Sequence, residues 1–358
     1  MRRLPSNRGI QAYQTLTTHQ RYTKHAPHTF YSNINRSGIK TVTVTDGTID
    51  VETFRSIAWE PSIPVHLRNF HRLPAIQNWI DSQTQKQAVS FGGKLKEYAQ
   101  TDVNYEVMME SGGDSSGCSL ASMKQFAAWR DAGSEDRLLA ALLTERSVAA
   151  LSDHGVDENE NENQHPHFIQ FVAPLSFILN ASKYNTTQTE PSQRIKELYV
   201  AQSDIRSLPP ALAEDVPIPE IVSNVGKGDI YGSSIWLGLQ PTYTPLHRDP
   251  NPNLFCQLIG SKIVRLMQHG AGLSVFQGVR RQLGRAGNSR FRGPGMMEGP
   301  ERERLHHAVW VEPDTSRDIW EARLEPGDAL FIPTGWWHSV RSVGRDAELN
   351  ASANWWFR

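Results

Sequence analysis

Cysteine is nearly absent from this 358-residue chain: Cys118 and Cys256 are its only two, far apart in sequence. Two isolated thiols cannot build a zinc finger, and they argue against a disulfide framework, so a reducing, intracellular compartment is expected. Zinc-dependent reader modules are excluded on the same ground. Long apolar runs are missing as well; none approaches the roughly 20 residues that cross a bilayer, and no membrane contact is expected. Nor is there a net basic charge: 37 Lys and Arg stand against 38 Asp and Glu, a formal charge of −1. That balance excludes a generally basic nucleic-acid binder, and no sequence-specific DNA binding is expected. Acidic residues are absent from residues 1–45, which carry Arg2, Arg3, Arg8, Arg21, Lys24, Arg36 and Lys40. A basic, acid-free start rich in Ser, Thr and Gln reads in two ways. One is an organellar transit peptide, which would direct the protein to mitochondria. The other is a disordered tail on a cytoplasmic or nuclear protein. The stretch PSNRGIQAYQTLTTHQ has a poor helical apolar face.

What is present suits a globular protein: 38% hydrophobic and 21% charged residues, with length enough to bury a sizeable core. Residues 46–167 read as an α/β segment. IKTVTVTDGTIDVETF predicts a short strand and turn leading into a helix, SIPVHLRNF a strand, and LPAIQNWIDSQT a short helix with Pro74 near its start. VNYEVMME reads as a strand. SLASMKQFAAWRDA and EDRLLAALLTERSVAALS read as helices, with apolar residues three and four apart. Residues 153–167, DHGVDENENENQHPH, form a polar low-complexity insertion whose three histidines read as solvated rather than metal-binding.

From residue 168 to 358 the texture changes to short strands and turns: HFIQFVA, KELYVAQ, SSIWLGL, LFCQLIGSKIVRLM, AVWVEP and DALFIPT. Such a series implies a β-sandwich or small barrel, with the earlier helices buttressing its outside. Gly260-Ser261, between two strand-like runs, predicts a tight hairpin. The Gly/Arg-rich residues 272–308 predict a long loop between barrel strands.

The chemistry gathers in this part. In TYTPLHRDPNPNLF, His247 and Asp249 stand two apart, and at a strand edge period-two alternation puts both on one face. Alone, His-x-Asp is a weak signal in a chain with 13 histidines. His338 follows two tryptophans in GDALFIPTGWWHSV, where a packed rim residue is the commoner outcome. Together, however, two imidazoles and one carboxylate are the facial set that holds non-haem Fe(II) and leaves positions open. Thr244, Asn253 and Lys262 lie close by in sequence. A hairpin lysine is commonly exposed. Lys262, starting a return strand, can instead reach into a barrel, where a buried ammonium calls for an anionic ligand.

The stretches PTYTPLHRDPNPNLFCQLIGSKIVRLM, PGDALFIPTGWWHSV and the closing NWWF resemble the JmjC, or cupin-like, Fe(II)/2-oxoglutarate oxygenases. ELYVAQSDIRSLPPALAEDVPIP resembles the segment before the barrel in their small hydroxylase branch. The resemblance runs from about residue 60 to the end, with four separated motifs in the right order. It implies a mainly β fold with flanking helices, a double-stranded β-helix (jelly-roll) barrel. It also implies Fe(II) as cofactor, with 2-oxoglutarate and O2 as co-substrates. His247, Asp249 and His338 would then be the metal ligands and catalytic centre. Lys262, Thr244 and Tyr199 would hold the far carboxylate of 2-oxoglutarate, with Asn253 and Asn354 lining the same pocket. Trp236 matches a substrate-pocket aromatic, and Glu106 aligns loosely with an acidic substrate-binding residue of arginine-hydroxylating members.

The substrate this implies is a protein or peptide side chain, arginine being favoured by Glu106 and Trp236. Three alternatives stand beside it. One is N-methyl-lysine demethylation, although demethylases commonly carry reader or zinc modules. Another is RNA hydroxylation, supported only by the seven arginines of 272–308, whose clustered Arg280, Arg281, Arg285, Arg290 and Arg292 are soon followed by Glu298, Glu301 and Glu303. The last, a non-catalytic metal-binding cupin, fits poorly with an intact set of metal and co-substrate residues.

Overall fold

The computed structural model describes residues 38–81, 91–109, 117–130, 167–284, 297 and 299–358. Two sheets face each other. The smaller runs β1 (Lys40–Thr41), β11 (Ile319–Leu324), β10 (Ser261–Met267), β13 (Trp337–Val343) and β8 (Tyr243–Arg248). The larger runs β2 (Thr43–Asp46), β3 (Val65–Arg68), β12 (Ala329–Ile332), β9 (Asn253–Ile259), β14 (Leu349–Phe357), β7 (Ile230–Leu239), β6 (Leu198–Asp204), β4 (Asp102–Met109) and β5 (His167–Pro174). Pairing is antiparallel except where β1 joins β11 and β2 joins β3. This is the expected double-stranded β-helix, mainly β with helices on its outer faces.

Period-two alternation sorts the side chains into layers. On β14, Ala351, Ala353, Trp355 and Phe357 point outward into the largest apolar cluster, with Phe54, Phe126 and Phe177 of the flanking helical segments. Asn354 and Trp356 point inward, toward the cavity between the sheets. The inner space is divided. Phe255, Val264, Leu266, Leu330, Ile332 and Trp336 fill one part with an apolar plug, and the remainder is polar. Outside the smaller sheet, Leu246, Met267 and Trp337 pack against Phe276, Val279, Leu305 and Val309.

Four expectations change. The runs either side of Gly260 do not form a hairpin: β9 pairs with β12 and β14, whereas β10 pairs with β11 and β13. Gly260, at φ +65°, carries the chain from one sheet to the other, and a Cβ there would stand 2.7 Å from the Leu349 carbonyl oxygen. Lys262 therefore opens a strand of the opposite sheet, not a return strand. Next, the described parts of 272–308 are largely helical, residues 285–296 and 298 lying outside the described residues. Helices His269–Gln282 and Gly299–His306 cover the smaller sheet, because their apolar faces meet Trp337 and Leu246. AVWVEP is mostly a π-helical turn, His307–Val311, that buries Val309 and Trp310. Lastly, the amino-terminal segment does more than buttress the barrel, since β2 and β3 form one end of the larger sheet and β4 joins it near the other. The helix expected in EDRLLAALLTERSVAALS, residues 1–37 and residues 153–166 of the polar insertion lie outside the described residues.

Candidate metal and co-substrate site

β8 and β13 are neighbours, and their register sets His247 directly opposite His338, with ring centroids 4.2 Å apart. Asp249 follows the end of β8. Its Oδ1 lies 3.7 Å from His247 Nε2 and its Oδ2 3.6 Å from His338 Nε2. One ligating atom from each residue falls within 4.8 Å of the others. Two ligands at right angles on a metal about 2.1 Å away would stand about 3 Å apart, so a small adjustment closes the three onto one ion. The tautomer also suits a metal: His247 Nδ1–H donates to the Pro245 carbonyl at 2.8 Å, leaving Nε2 as the lone-pair donor.

The carboxylate is anchored from behind. Asp249 Oδ2 accepts from the Trp356 indole at 2.8 Å and from Asn253 Nδ2 at 2.9 Å. Burial by itself would raise the Asp249 carboxyl. The two imidazoles, the indole and the amide outweigh it and hold the group below the usual carboxylate range. Asn253 is fixed in turn: its Oδ1 accepts from Asn354 Nδ2 at 2.8 Å. The donor set and its geometry thus fit a divalent metal such as Fe(II).

Beside this set lies a buried cation. Lys262 is 1% exposed, yet its ammonium reaches the barrel interior, donating to Tyr199 Oη at 3.0 Å and Ser352 Oγ at 2.8 Å. The Phe255 and Tyr199 rings lie 5.2 and 5.5 Å from Nζ. Thr244, three residues before His247 on β8 and across a shift in the register, pairs with Val340 and lines the same space.

His247, Asp249, His338, Lys262, Thr244, Tyr199, Asn253, Asn354 and Trp236 all line one cavity of about 410 Å³. Trp236 leans on Tyr199, with ring centroids 5.7 Å apart. Glu106 is the exception. It pairs in register with Tyr199, but across it, and lines a separate small pocket with Glu197, Tyr243 and Arg302. Buried there, it accepts from Gln170 Nε2 at 3.3 Å. Sequence reasoning missed Ser352 and Trp356. The signal was the same alternation that placed Asn354, since Ser352, Asn354 and Trp356 share one face of β14. It also missed Gln202, Asp204, Arg206 and Tyr231, which line the cavity from β6, β7 and the turn after β6.

Residues 52–358 match the family described as a cupin-like domain. The chain is 31% identical over 175 residues to Jumonji C domain-containing protein 5 of Drosophila melanogaster, covering 47% of this chain and 39% of that protein. It is 30% identical over 161 residues to Lysine-specific demethylase 8 of Danio rerio, covering 44% and 36%. Against JmjC domain-containing protein F of Dictyostelium discoideum it is 27% identical over 218 residues, covering 58% and 44%. The matched stretches thus span less than half the length of each relative.

Proposed function

Because this chain belongs to the cupin-like, JmjC-type family of Fe(II)/2-oxoglutarate oxygenases, we propose that it hydroxylates a protein side chain, with arginine the first candidate. One observation carries the reading: the His247–Asp249–His338 set and the buried Lys262 ammonium share a single cavity. A metal site alone could be structural. A metal site beside a buried cation is equipped for an anionic ligand that spans both.

The residues divide the work. His247, Asp249 and His338 hold Fe(II) and leave positions open for co-substrates. Lys262 pairs with the far carboxylate of 2-oxoglutarate, and Tyr199 and Thr244 supply hydroxyls beside it. The iron, with 2-oxoglutarate and dioxygen, supplies the oxidising chemistry that yields succinate, carbon dioxide and an oxygen inserted into a C–H bond. Phe255, Trp236 and Trp356 narrow the cavity and limit water. The protein selects the outcome by which C–H bond it holds at the metal. A planar guanidinium stacks well on an indole such as Trp236. Glu106 lines the neighbouring pocket rather than this cavity; Asp204 does line the cavity, where Arg206 now holds it, so an arginine substrate would have to compete with Arg206 for that carboxylate.

A second reading, N-methyl-lysine demethylation, is favoured by the name of the Danio rerio relative. The two separate by product. Incubation with iron, 2-oxoglutarate, oxygen and candidate proteins should give succinate together with a stable product heavier by one oxygen atom, without formaldehyde. Formaldehyde rising in step with succinate from a methyl-lysine peptide would establish demethylation instead. An oxygen added only to RNA would move the protein to RNA hydroxylation. Lys262→Ala should raise the 2-oxoglutarate KM by about two to three and a half orders of magnitude, since losing one side of a buried charge pair costs about 3–5 kcal/mol. Metal binding should survive the substitution. An unchanged 2-oxoglutarate KM would remove Lys262 from the site.

A further inference from the structure

Gln202 sits in a strand but not in a strand conformation. Its φ is +54°, in the left-handed region that glycine fills without strain, and the β6–β7 register shifts between Val200 and Ser203. The bulge turns an exposed Gln side chain toward the mouth of the metal cavity, which it lines. Among the described residues the Gln202 amide has no hydrogen-bond partner. The chain thus keeps a long polar side chain where its backbone would favour glycine, and leaves that side chain unengaged.

The charges around it are already matched. Asp204 accepts from Arg206 Nη2 at 2.7 Å and Nε at 3.1 Å, and from Ser233 Oγ at 3.2 Å. Arg358 bonds Asp229 at 3.3 Å while lying over the Tyr231 ring at 4.8 Å. The mouth therefore offers paired charges, a half-exposed tyrosine and one free primary amide. Among the described residues there, Arg206 and Arg358 each have a carboxylate partner, which leaves a polyanionic nucleic-acid backbone little to pair with. A peptide unit, with one N–H and one carbonyl, matches both ends of a primary amide.

We propose that Gln202 binds the main chain of an extended peptide next to the side chain that enters the cavity. The inference rests on the protein-substrate reading above and names the contact that would select it. Gln202 positions the substrate and takes no part in the chemistry.

The test uses the iron-loaded full chain and a randomised peptide pool centred on arginine. A matched pool carries backbone N-methyl groups on the residues flanking the arginine, and succinate release is the readout. Wild type should favour the plain pool through KM by about fivefold to tenfold, the worth of one or two peptide hydrogen bonds. Gln202→Ala and Gln202→Gly should both lose that preference, with KM for the plain pool rising and kcat changing by less than about twofold. The glycine variant relieves the backbone, so misfolding cannot explain its loss. If wild type turns over peptides without distinguishing the pools, or the variants keep the preference, the inference is overturned and the proposed function stands. Stimulation by RNA oligonucleotides and not by peptides overturns both the inference and the protein-substrate reading. A wild-type protein that releases no succinate under any condition overturns the oxygenase reading and the inference with it.

Discussion

Trp356 shows how a side chain that is not itself a metal ligand can govern the site by holding one. Its indole donates to Asp249 Oδ2 at 2.8 Å, fixing the carboxylate that faces both imidazoles. Trp356→Phe keeps the ring's bulk and removes the donor. Metal affinity should fall about 10- to 100-fold, the usual penalty for losing a partner of a ligand, as titration calorimetry with a divalent metal would measure. Residue type and spacing single out His247, Asp249, His338 and Lys262 only weakly, the family resemblance is what gives them roles, and the fold brings all four to one cavity. Ser352 and Trp356 were less legible, since serine and tryptophan have many uses and only their shared face with Asn354 distinguishes them. Glu106 lines a small pocket that shares Tyr199 with the metal cavity. It stands on β4, paired in register with Tyr199 on β6, and sequence alone does not say which strand lies next to which.

Among the elements, helix His269–Gln282 is the one whose packing bears most directly on the metal. Gly272 lies so close to β13 that an added Cβ would meet Trp337 Cγ at 2.2 Å. Neither the helix backbone nor the base of a buried indole can give way easily. Gly272→Ala should destabilise the protein by about 1–3 kcal/mol or more, in the range of core overpacking, and should weaken metal binding because Trp337 adjoins His338. Urea unfolding with parallel metal titrations would check both, and a variant as stable as wild type would show that the helix can shift. This helix was illegible because Gly272 and Gly278 read as loop, whereas packing against Trp337 overrides propensity. The turn at Gly260 failed differently. Alternating runs flanking a glycine look the same whether the strands pair with each other or part into two sheets. AVWVEP is too short an apolar run for its period to choose between strand and helical turn.

At the scale of the whole molecule, stability should depend on acid through a buried histidine remote from the metal. His71 hydrogen-bonds the Asp328 carbonyl at 3.1 Å, and burial lowers its pKa to about 4. Between the ordinary histidine value of about 6.5 and about 4, the unfolded chain binds a proton that the folded protein refuses. Stability is therefore unaffected by this group above about pH 6.5 and falls as pH drops toward 4, by up to about 3 kcal/mol. His71→Gln, which can keep a hydrogen bond to the carbonyl, should flatten that slope in urea unfolding at pH 7 and pH 5. The central place of β14, between β9 and β7, has a consequence in time. The chain traverses both neighbouring strands long before it supplies the strand that joins them, so the middle of the larger sheet cannot close early. Tyr199, His247, Lys262, His338 and Asn354 come from five different strands, and no local fragment holds the whole constellation. Folding of such a non-local topology is slow compared with helical proteins, and the ability to take up metal should arise only with the final closure. In refolding from urea, the metal-dependent signal and the tryptophan fluorescence should share one rate constant; metal uptake that precedes the fluorescence change would place the centre in an early, partial structure.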